Sequence, residues 1–245
     1  MNTRQQDIVT LVQQQGEITI KALSARLGVS EMTIHRDLDF LENQRYLYKK
    51  RGAAVYIEQP DRNHSGFYND EKRIIGKACA QLIQPGQSVL FDNSTTALEC
   101  ARFLLDIPKL TFYTTNLETA LVLSQHPDCV LYCSGGYYFP DSKGFTGSQA
   151  EDFVSRIHAD VCIIGASGID LTHGITNPYP MHTVLQRKII EHAQFRILAA
   201  DHSKFGKVAM EKAAEVSEMD VIVTDKGLST ELAEAYAQQA KLILA

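Results

Sequence analysis

The sequence predicts two domains, a small helical module of roughly sixty residues followed by a larger α/β domain. The first part contains three short helical patterns and a hairpin pattern, whereas the second alternates short apolar runs with helical segments. Strands that alternate with helices are typical of a parallel sheet covered by helices. We expect domain boundaries at 1–58 and 67–245, joined by a polar, proline-containing linker at 59–66.

The bulk composition limits the class of protein. Of the 245 residues, 44% are hydrophobic and 22% are charged, so the chain can bury a core. The net charge of -5 argues against a protein that coats nucleic acid or an anionic membrane, but allows a locally basic module. No stretch predicts a signal peptide or a membrane span. The odd cysteine count, without any CxxC pair, is typical of reduced thiols in a cytoplasmic protein: Cys79, Cys100, Cys129, Cys133 and Cys162.

The first domain begins with three predicted helices. The segments TRQQDIVTLVQQQG and TIKALSARLG each carry apolar residues along one stripe and end at Gly16 and Gly28. The third helix lies in GVSEMTIHRDLDFLE, where Ser30 stands in the N-cap position. The next segment, YLYKKRGAAVYI, alternates as a two-stranded hairpin that turns near Gly52.

The third helix separates an apolar face from a polar one. The apolar face consists of Ile34, Leu38 and Leu41. The opposite face and flanks carry Met32, Thr33, His35, Arg36 and Asp39. This pattern alone also fits an ordinary solvated surface helix. The tight Gly-Val-Ser turn before it and the basic hairpin after it favour a winged helix-turn-helix that binds double-stranded DNA.

The candidate DNA-contacting residues lie on the third helix and the hairpin: Ser30, Met32, Thr33, His35, Arg36, Lys49, Lys50 and Arg51. Ser30 and the first helical N–H groups can hold a phosphate. The other helix residues would approach bases or phosphates, and the hairpin cations would contact the backbone or the minor groove. Residues 1–58 contain eight basic and seven acidic residues, so this module is nearly neutral while the rest of the chain is acidic.

This segment resembles the DNA-binding region of the DeoR family of bacterial sugar-metabolism repressors. That family shows V-S-x-x-T-I-R-R-D-L, followed by a basic hairpin near H-G-G-A. The matching residues are Thr33, Ile34, Arg36, Asp37 and Leu38. His35 stands where the family has Arg, Arg45 where it has Gly, and RGAA replaces HGGA. The missing fixed charge at His35 predicts a weaker or different contact with phosphate or guanine.

Five loops rich in small polar residues follow predicted strands of the second domain, in FDNSTTALECA, YTTNLETA, YCSGGYY, IGASGID and AADHSKFGK. Ligands of open α/β sheets bind at the carboxyl ends of strands, so we expect one shared pocket. Its hydroxyl, amide and lysine content suits a phosphorylated sugar or polyol, although each loop alone also fits simple helix capping. The candidate effector-binding residues are Asp92, Ser94, Thr95, Thr96, Thr115, Asn116, Gly135, Gly136, Gly165, Ser167, Gly168, Asp170, Asp201 and Lys204.

The same loops are similar, in the same order, to the signatures of the DeoR-family sensor domain, so the resemblance covers nearly the whole chain. It implies a Rossmann-like α/β fold resembling ribose-5-phosphate isomerase and glucosamine-6-phosphate deaminase, which in this family binds phosphosugars without converting them. Ser94 stands where the family has Gly. His182 and Gln186 stand where the family has an acidic residue and a Lys, which predicts a changed effector or a lost response.

We therefore expect a cytoplasmic transcriptional repressor of a carbohydrate-metabolism operon, modulated by a phosphorylated sugar or polyol and acting as a homo-dimer or tetramer. The alternative is a sugar-phosphate isomerase-like enzyme with an appended regulatory DNA-binding module. It would need a carboxylate base and a proton donor, from candidates Asp92, Asp170, Asp201, His158, His173, His182 and His202. We expect no enzyme activity, no cofactor, since no dinucleotide-binding glycine pattern is present, and no metal, since the histidines lack paired spacing.

Overall fold

A computed structural model describes residues 3–43, 47–50, 52–56 and 69–245 of the chain. The chain divides into two compact units, Met1–Phe67 and Tyr68–Ala245. The expected linker at 59–66 lies outside the described residues. None of the helices in the described ranges is long and apolar enough to cross a membrane.

The first unit combines three helices with a three-stranded antiparallel sheet. Its helices are α1 (Thr3–Gln15), α2 (Ile20–Leu27) and α3 (Glu31–Asn43). Its strands are β1 (Glu17–Thr19), β2 (Leu47–Lys50) and β3 (Ala53–Tyr56), in the order β1-β3-β2. The predicted hairpin around Gly52 is confirmed as β2 and β3. The sequence pattern does not predict β1, because in this three-residue strand only Ile18 is buried and no periodicity can be read from one residue.

The predicted helix ends are confirmed. Gly16 and Gly28 have φ of 73° and 64°, the left-handed conformation that stops a helix at low cost for glycine. Ser30 precedes α3 and accepts a hydrogen bond from the N–H of Thr33 at 3.2 Å, which is the N-cap geometry. These stops place α2 and α3 as separate helices joined by a tight turn, as a helix-turn-helix requires.

The apolar face of α3 lies at the centre of the core of the first unit. All three predicted face residues are fully buried. They pack with apolar side chains from both other helices and from the sheet: Ile8, Val12, Ile18, Ile20, Leu23, Leu47 and Ala54. The periodic spacing of apolar residues therefore predicted which side of α3 is covered and which is left open.

The second unit is an α/β domain. Its helices are α4 (Asn69–Ala80), α5 (Thr95–Arg102), α6 (Leu117–Leu123), α7 (Ser148–Val154), α8 (Pro180–Glu191) and α9 (Thr230–Ala237). Its strands are β4 (Ser88–Phe91), β5 (Thr111–Thr114), β6 (Val130–Cys133), β7 (Tyr137–Phe139), β8 (Gly144–Thr146), β9 (Ala159–Ile164), β10 (Gly168–Asp170), β11 (Gly174–Asn177), β12 (Ala193–Ala199), β13 (Glu211–Ala214), β14 (Val221–Thr224) and β15 (Lys241–Leu244). Two 3-10 turns complete it, at His202–Lys204 and Val216–Glu218.

Seven strands form one parallel sheet in the order β15-β14-β12-β9-β4-β5-β6. From β4 the chain adds strands first on one side and then on the other, so the strand order reverses between β4 and β9. Helices α4, α5 and α6 contribute to the core on one face, and α7, α8 and α9 to the core on the other. The predicted fold class, α/β with an N-terminal winged helix-turn-helix, is confirmed. Sheets of this type bind ligands at such a reversal point.

Two smaller sheets lie outside the predicted pattern. Strands β7 and β8 form a hairpin, and β10, β11 and β13 form a three-stranded sheet. The segment DVCIIGASGID, which reads as one apolar run, is divided between β9 and β10 in different sheets. Most of these strands hold only one or two apolar residues and form no apolar run like those of the main sheet, so the sequence pattern does not reveal them.

A buried carboxylate fixes α1 against α3. Asp37 is only 4% exposed. Its Oδ2 lies 2.5 Å from Nε of Arg4, and its Oδ1 accepts from Nε2 of Gln5 at 3.0 Å. Because both donors are on the first turn of α1, this single side chain orients α1 across α3.

Replacing Asp37 by Ala should loosen α1 while leaving the second unit intact. The change removes the carboxylate that accepts charge-assisted hydrogen bonds from Arg4 and from Gln5 on the first turn of α1. Amide hydrogen exchange of α1 in the full chain should accelerate about tenfold. Asp7→Ala, at an exposed position of the same helix, is the matched control. Unchanged protection of α1 in Asp37→Ala would contradict this role.

Candidate DNA-binding surface and effector site

The open face of α3 carries the predicted DNA-contacting residues of the helix. Met32 is 71% exposed, and His35 and Arg36 are also exposed. Thr33 is half-buried, and its Oγ1 lies 2.9 Å from Oγ of Ser30. The N-terminal half of α3 therefore presents a cation, an imidazole, a thioether and two hydroxyls on one surface, which are groups that reach base edges and phosphates in a major groove.

The predicted basic hairpin is described only in part. Lys49 and Lys50 lie on β2, opposite Ala54 and Ala53 of β3. Arg51, like Arg45, lies outside the described residues. The backbone thus places Lys49 and Lys50 on one strand of the β2–β3 hairpin.

The parallel sheet brings all five predicted loops to one edge. Asp92 follows β4, Thr115 follows β5, Gly135 follows β6 and Asp201 follows β12. Gly165 follows β9, which lies between β12 and β4. Because all these strands run in the same direction, their carboxyl ends lie at the same edge. The residues that the sequence placed in separate loops therefore share one edge, centred on β4 and β9.

The side chain of Asp92 accepts three hydrogen bonds at this edge. Its Oδ1 accepts from the N–H of Ser94 at 2.9 Å. Its Oδ2 accepts from the N–H of Gly165 at 2.9 Å and from Nε2 of Gln186 at 2.8 Å. Burial raises the pKa of Asp92, and the hydrogen bonds from Ser94, Gly165 and Gln186 oppose that rise. The carboxylate thus joins the ends of β4 and β9 to α8.

Both polar atoms of the Gln186 side chain form hydrogen bonds at this edge. Besides Asp92, its Nε2 donates to the carbonyl of Gly165 at 2.8 Å, and its Oε1 accepts from Nδ2 of Asn177 at 2.7 Å. Gln186 and Asn177 are both buried. The position where the resemblance predicted a changed effector response is therefore a neutral amide that holds the centre of the edge together.

Ser94 and Gly165 fit against each other. Oγ of Ser94 accepts from the N–H of Ala97 and so caps α5, whose first residues are Thr95 and Thr96. A Cβ on Gly165 would lie 2.5 Å from both Cβ and Oγ of Ser94. Gly165 is thus required by the side chain at position 94, and the N-terminus of α5 is held at the reversal point of the sheet.

Thr115 and Asn116 bind other loops of the same edge. Thr115 Oγ1 donates to Oδ1 of Asn93 at 2.6 Å. Asn116 caps α6 by accepting from the N–H of Thr119, and its Nδ2 donates to the carbonyl of Ser142 at 2.8 Å. Both side chains are buried, so their polar groups organise the loops from within.

Gly135 and Gly136 allow the chain to turn tightly after β6. Their φ angles are 61° and 110°, a region that other residues rarely adopt. A Cβ on Gly136 would lie 3.0 Å from the carbonyl oxygen of Thr146 in β8. The glycine pair therefore brings the backbone after β6 against the β7–β8 hairpin.

The loop after β9 leaves the edge soon after Gly165. Ser167 donates its N–H to the carbonyl of Thr176, and Gly168 starts β10. The carboxylate of Asp170 accepts from the N–H groups of Thr172 and His173 and from the His173 ring, all within its own hairpin turn. The structure thus gives Asp170 a turn-capping role, and its predicted ligand role stays a prediction.

A buried lysine that sequence reasoning missed lies near Asp201 and Lys204. Lys72 on α4 is 4% exposed. Burial lowers the pKa of Lys72, the charge of Asp201 opposes this, and the like charge of Lys204 adds to it. A signal was present in the sequence, because Lys72 occupies the same helical stripe as the buried residues Ile75 and Cys79.

Asp201 organises the turn that carries Lys204. Its Oδ1 accepts from the N–H of Ser203 at 3.0 Å and from the Ser203 hydroxyl. Its Oδ2 is fully buried and has no hydrogen-bond partner among the described residues. Lys72, Asp201 and Lys204 therefore form a charged cluster at the carboxyl end of β12, and Glu71 and Glu99 also lie within electrostatic reach of Lys72.

His182, the second departure from the family, lies in an aromatic cluster. Its ring meets those of Phe139 and Tyr179 edge-on, at centroid distances of 5.1 and 5.4 Å. Its Nε2 lies 3.3 Å from Oγ of Ser142. Burial lowers the pKa of His182, and the charge of Asp141 opposes this. The imidazole of His182 thus lies on the side of the edge formed by α8 and the β7–β8 hairpin, at the position where the resemblance predicts an acidic residue.

These features define a class of protein, a winged helix-turn-helix regulator with an attached α/β sensor domain. Residues 4–60 match the model of the DeoR-like helix-turn-helix domain, and residues 68–226 match that of the DeoR C-terminal sensor domain. The chain belongs to the DeoR family and is a DNA-binding transcriptional regulator.

Similar proteins extend over nearly the full length of the chain. The transcriptional repressor AccR of Agrobacterium fabrum is 33% identical, over 93% of this chain and 90% of its own length. The repressor GlcR of Bacillus subtilis is 34% identical, over 89% and 86%. The glycerol-3-phosphate regulon repressor of Escherichia coli is 32% identical, over 91% and 90%.

A solved structure, ribose 5-phosphate isomerase A of Methanocaldococcus jannaschii, superposes with a TM-score of 0.42 at 16% identity. The superposition covers 56% of this chain and 55% of that protein, or about half the length of each. This likeness concerns the fold alone.

Gly165→Ala should destabilise the sensor unit by about 1–3 kcal/mol, because the new Cβ overlaps Ser94. Adding Ser94→Gly should restore most of that loss, since it removes the overlapping atoms and a Gly N-cap costs only a few tenths of a kcal/mol. Urea unfolding of the single and double variants measures both effects. Equal stability of Gly165→Ala with and without Ser94→Gly would show that the two residues are not coupled.

Proposed function

We propose that this regulator represses a carbohydrate-metabolism operon and that a phosphorylated sugar or polyol modulates its binding to operator DNA. The observation that carries the proposal is the charged cluster of Lys72, Asp201 and Lys204 at the carboxyl end of β12. Ammonium groups donate charge-assisted hydrogen bonds, which are the bonds that an anionic ligand accepts. The name of the Escherichia coli glycerol-3-phosphate regulon repressor, a relative over most of its length, supports a phosphorylated polyol.

On the DNA side, α3 would lie in the major groove of double-stranded operator DNA. Arg36 would contact guanine or phosphate, Met32 and His35 would contact neighbouring base edges, and Ser30 would hold a phosphate. Lys49, Lys50 and Arg51 would follow the backbone or the minor groove. We infer that the chain acts as a homo-dimer or tetramer in the cytoplasm, which predicts repeated operator half-sites.

In the sensor domain, the phosphate of the effector would lie between the charged cluster and the N-terminus of α5. There Thr95 and Thr96 supply hydroxyl and N–H groups. The remaining loops of the edge, with Thr115, Asn116, Gly135 and Gly136, would enclose the sugar or polyol. Ligand binding can change DNA affinity only if the two states of the protein bind the ligand differently. The hydrogen bonds of Asp92, which join the ends of β4 and β9 to α8, would transmit the change between these two states.

The bonding of the carboxylates does not support the enzyme alternative. A general base must be able to accept a proton from the substrate. Asp92 accepts three hydrogen bonds from its own chain, and Asp170 accepts three within its own turn. Oδ2 of Asp201 has no hydrogen-bond partner among the described residues, but it is fully buried. Within the described residues, no group of three or more His, Cys, Asp or Glu side chains could hold a metal ion. We therefore propose a sensor that binds its ligand without converting it.

Arg36→Ala should weaken operator binding by at least about tenfold, because an arginine contact with guanine or phosphate is worth about 1–3 kcal/mol. Fluorescence anisotropy with DNA selected from a random library by the native protein measures the affinity. Arg102→Ala, at a half-exposed arginine on α5, is the control. Native-like affinity of Arg36→Ala would exclude α3 as the recognition helix.

Lys204→Gln should weaken effector binding by about tenfold while leaving DNA binding intact, because it removes one charge-assisted contact with the phosphate. Thermal unfolding with glycerol 3-phosphate, glucose 6-phosphate and glucosamine 6-phosphate measures binding as a rise in melting temperature. Lys207→Gln, three residues further along at an exposed position, is the control. An equal ligand-induced rise in Lys204→Gln and in the native protein would remove Lys204 from the site.

A further inference from the structure

Strand β6 forms an open edge of the seven-stranded sheet. It pairs with β5 on one side, and no strand of the described residues pairs with its other side. The N–H groups of Val130 and Ser134 donate to carbonyls on the β5 side. Because the backbone groups of successive strand residues point to alternate sides, those of Leu131 and Cys133 point away from β5. These two residues thus present N–H and carbonyl groups that can pair with a further strand.

Apolar side chains are exposed on both faces of the sheet around this edge. On one face, Val130 is 50% and Tyr132 48% exposed, and the ring of Tyr132 stacks on that of Tyr113 at a centroid distance of 5.1 Å. On the other face, α6 lies beside β6, and its Leu121 is 60% exposed. Exposed apolar side chains grouped around one strand are typical of a surface that a protein partner covers.

The chain at this edge carries no charge. Residues 129–140, which include β6 and β7, contain no Asp, Glu, Lys or Arg. Sheet edges that stay open in natural proteins commonly carry charged residues, lysine above all, which prevent pairing with another chain. The opposite edge strand, β15, begins with the exposed Lys241. Strand β6 lacks this protection and is therefore suited to pairing.

The absence of charge favours a second copy of the chain as the partner. Across a two-fold axis each residue near the axis meets its own copy, so a charged residue there would face a like charge. The uncharged segment avoids this repulsion, although the chain as a whole has a net charge of -5. Nucleic acid or an anionic membrane would instead require cations, which the segment lacks.

We propose that the β6 strands of two copies pair antiparallel across a two-fold axis and join the two seven-stranded sheets into one, a pairing that rests on the homo-oligomer of the proposed function. Leu131 of each copy exchanges backbone hydrogen bonds with Cys133 of the other copy. Tyr132 then lies on the axis, opposite its own copy, in the closely spaced type of antiparallel pair. Val130 and Leu121 are covered on the two faces beside it.

A charge-swap experiment on the full chain tests this pairing. Tyr132→Lys and Tyr132→Glu each place like charges opposite each other at the axis. Each variant alone should therefore raise the dissociation constant of the β6 contact at least about hundredfold. An equal mixture of the two variants places a lysine opposite a glutamate and should restore the association. Analytical ultracentrifugation over a concentration series measures the mass of the native chain, of each variant and of the mixture.

Leu244→Lys and Leu244→Glu, at an exposed leucine of the opposite edge strand β15, are the matched controls and should keep the native mass. Val130→Arg is a second variant of β6 that leaves the Tyr132–Tyr113 stack in place and should also dissociate. Circular dichroism checks that each variant is folded.

The outcomes separate this interface from the homo-oligomer itself. If the native chain is an oligomer and the β6 variants keep its mass, β6 is not the interface, while the proposed homo-oligomer stands. If the mixture stays dissociated, position 132 does not meet its own copy, and the antiparallel pairing is wrong. If the native chain is a monomer throughout the concentration series, the homo-oligomer of the proposed function fails, and the β6 interface fails with it.

Discussion

The carboxylate of Asp92 is the constraint on which the sensor domain depends. It joins the ends of β4 and β9, the two strands at which the order of the sheet reverses, and it joins both to α8 through Gln186. An ionised carboxylate in a buried position is costly unless donors surround it. The loops after β4 and β9 are therefore held in one geometry, and the N-terminus of α5 with them. Loss of one donor leaves the buried carboxylate with fewer hydrogen bonds to offset its burial.

The two sides of this edge differ in their electrostatics. On the α8 side, Gln186 and the ring of His182 are uncharged groups where the family resemblance has a cation and an anion. On the α4 side, Lys72 and Lys204 stand near Asp201, with His202 on the same turn. Lys72 and Lys204, the cations proposed to bind an anionic ligand, thus lie on the α4 side.

Much of the architecture follows from local sequence pattern. The apolar stripe of α3 predicted its buried face, and the glycines at 16, 28 and 52 predicted where helices and hairpin turn. The seven strands of the main sheet appear as short apolar runs between helical segments. Strand β1, the β7–β8 hairpin and the β10–β11–β13 sheet could not be predicted, because most of these strands hold only one or two apolar residues and form no apolar run like those of the main sheet. Their pairing in the folded chain defines them.

The sequence by itself determined the family, the class of fold and the exposed face of α3, because these depend on residue types at short, regular spacing. The tertiary structure decided what each polar group at the sheet edge does. The carboxylate of Asp170 accepts hydrogen bonds within its own turn. The amide of Gln186 donates to the carboxylate of Asp92, which is 94 positions away in the chain. The tertiary structure also placed Lys72 of α4 near Asp201 and Lys204, and it set Asp225 behind His202. The physical reason is that parallel strands carry the ends of distant segments to one edge, and no local pattern records which segments meet there.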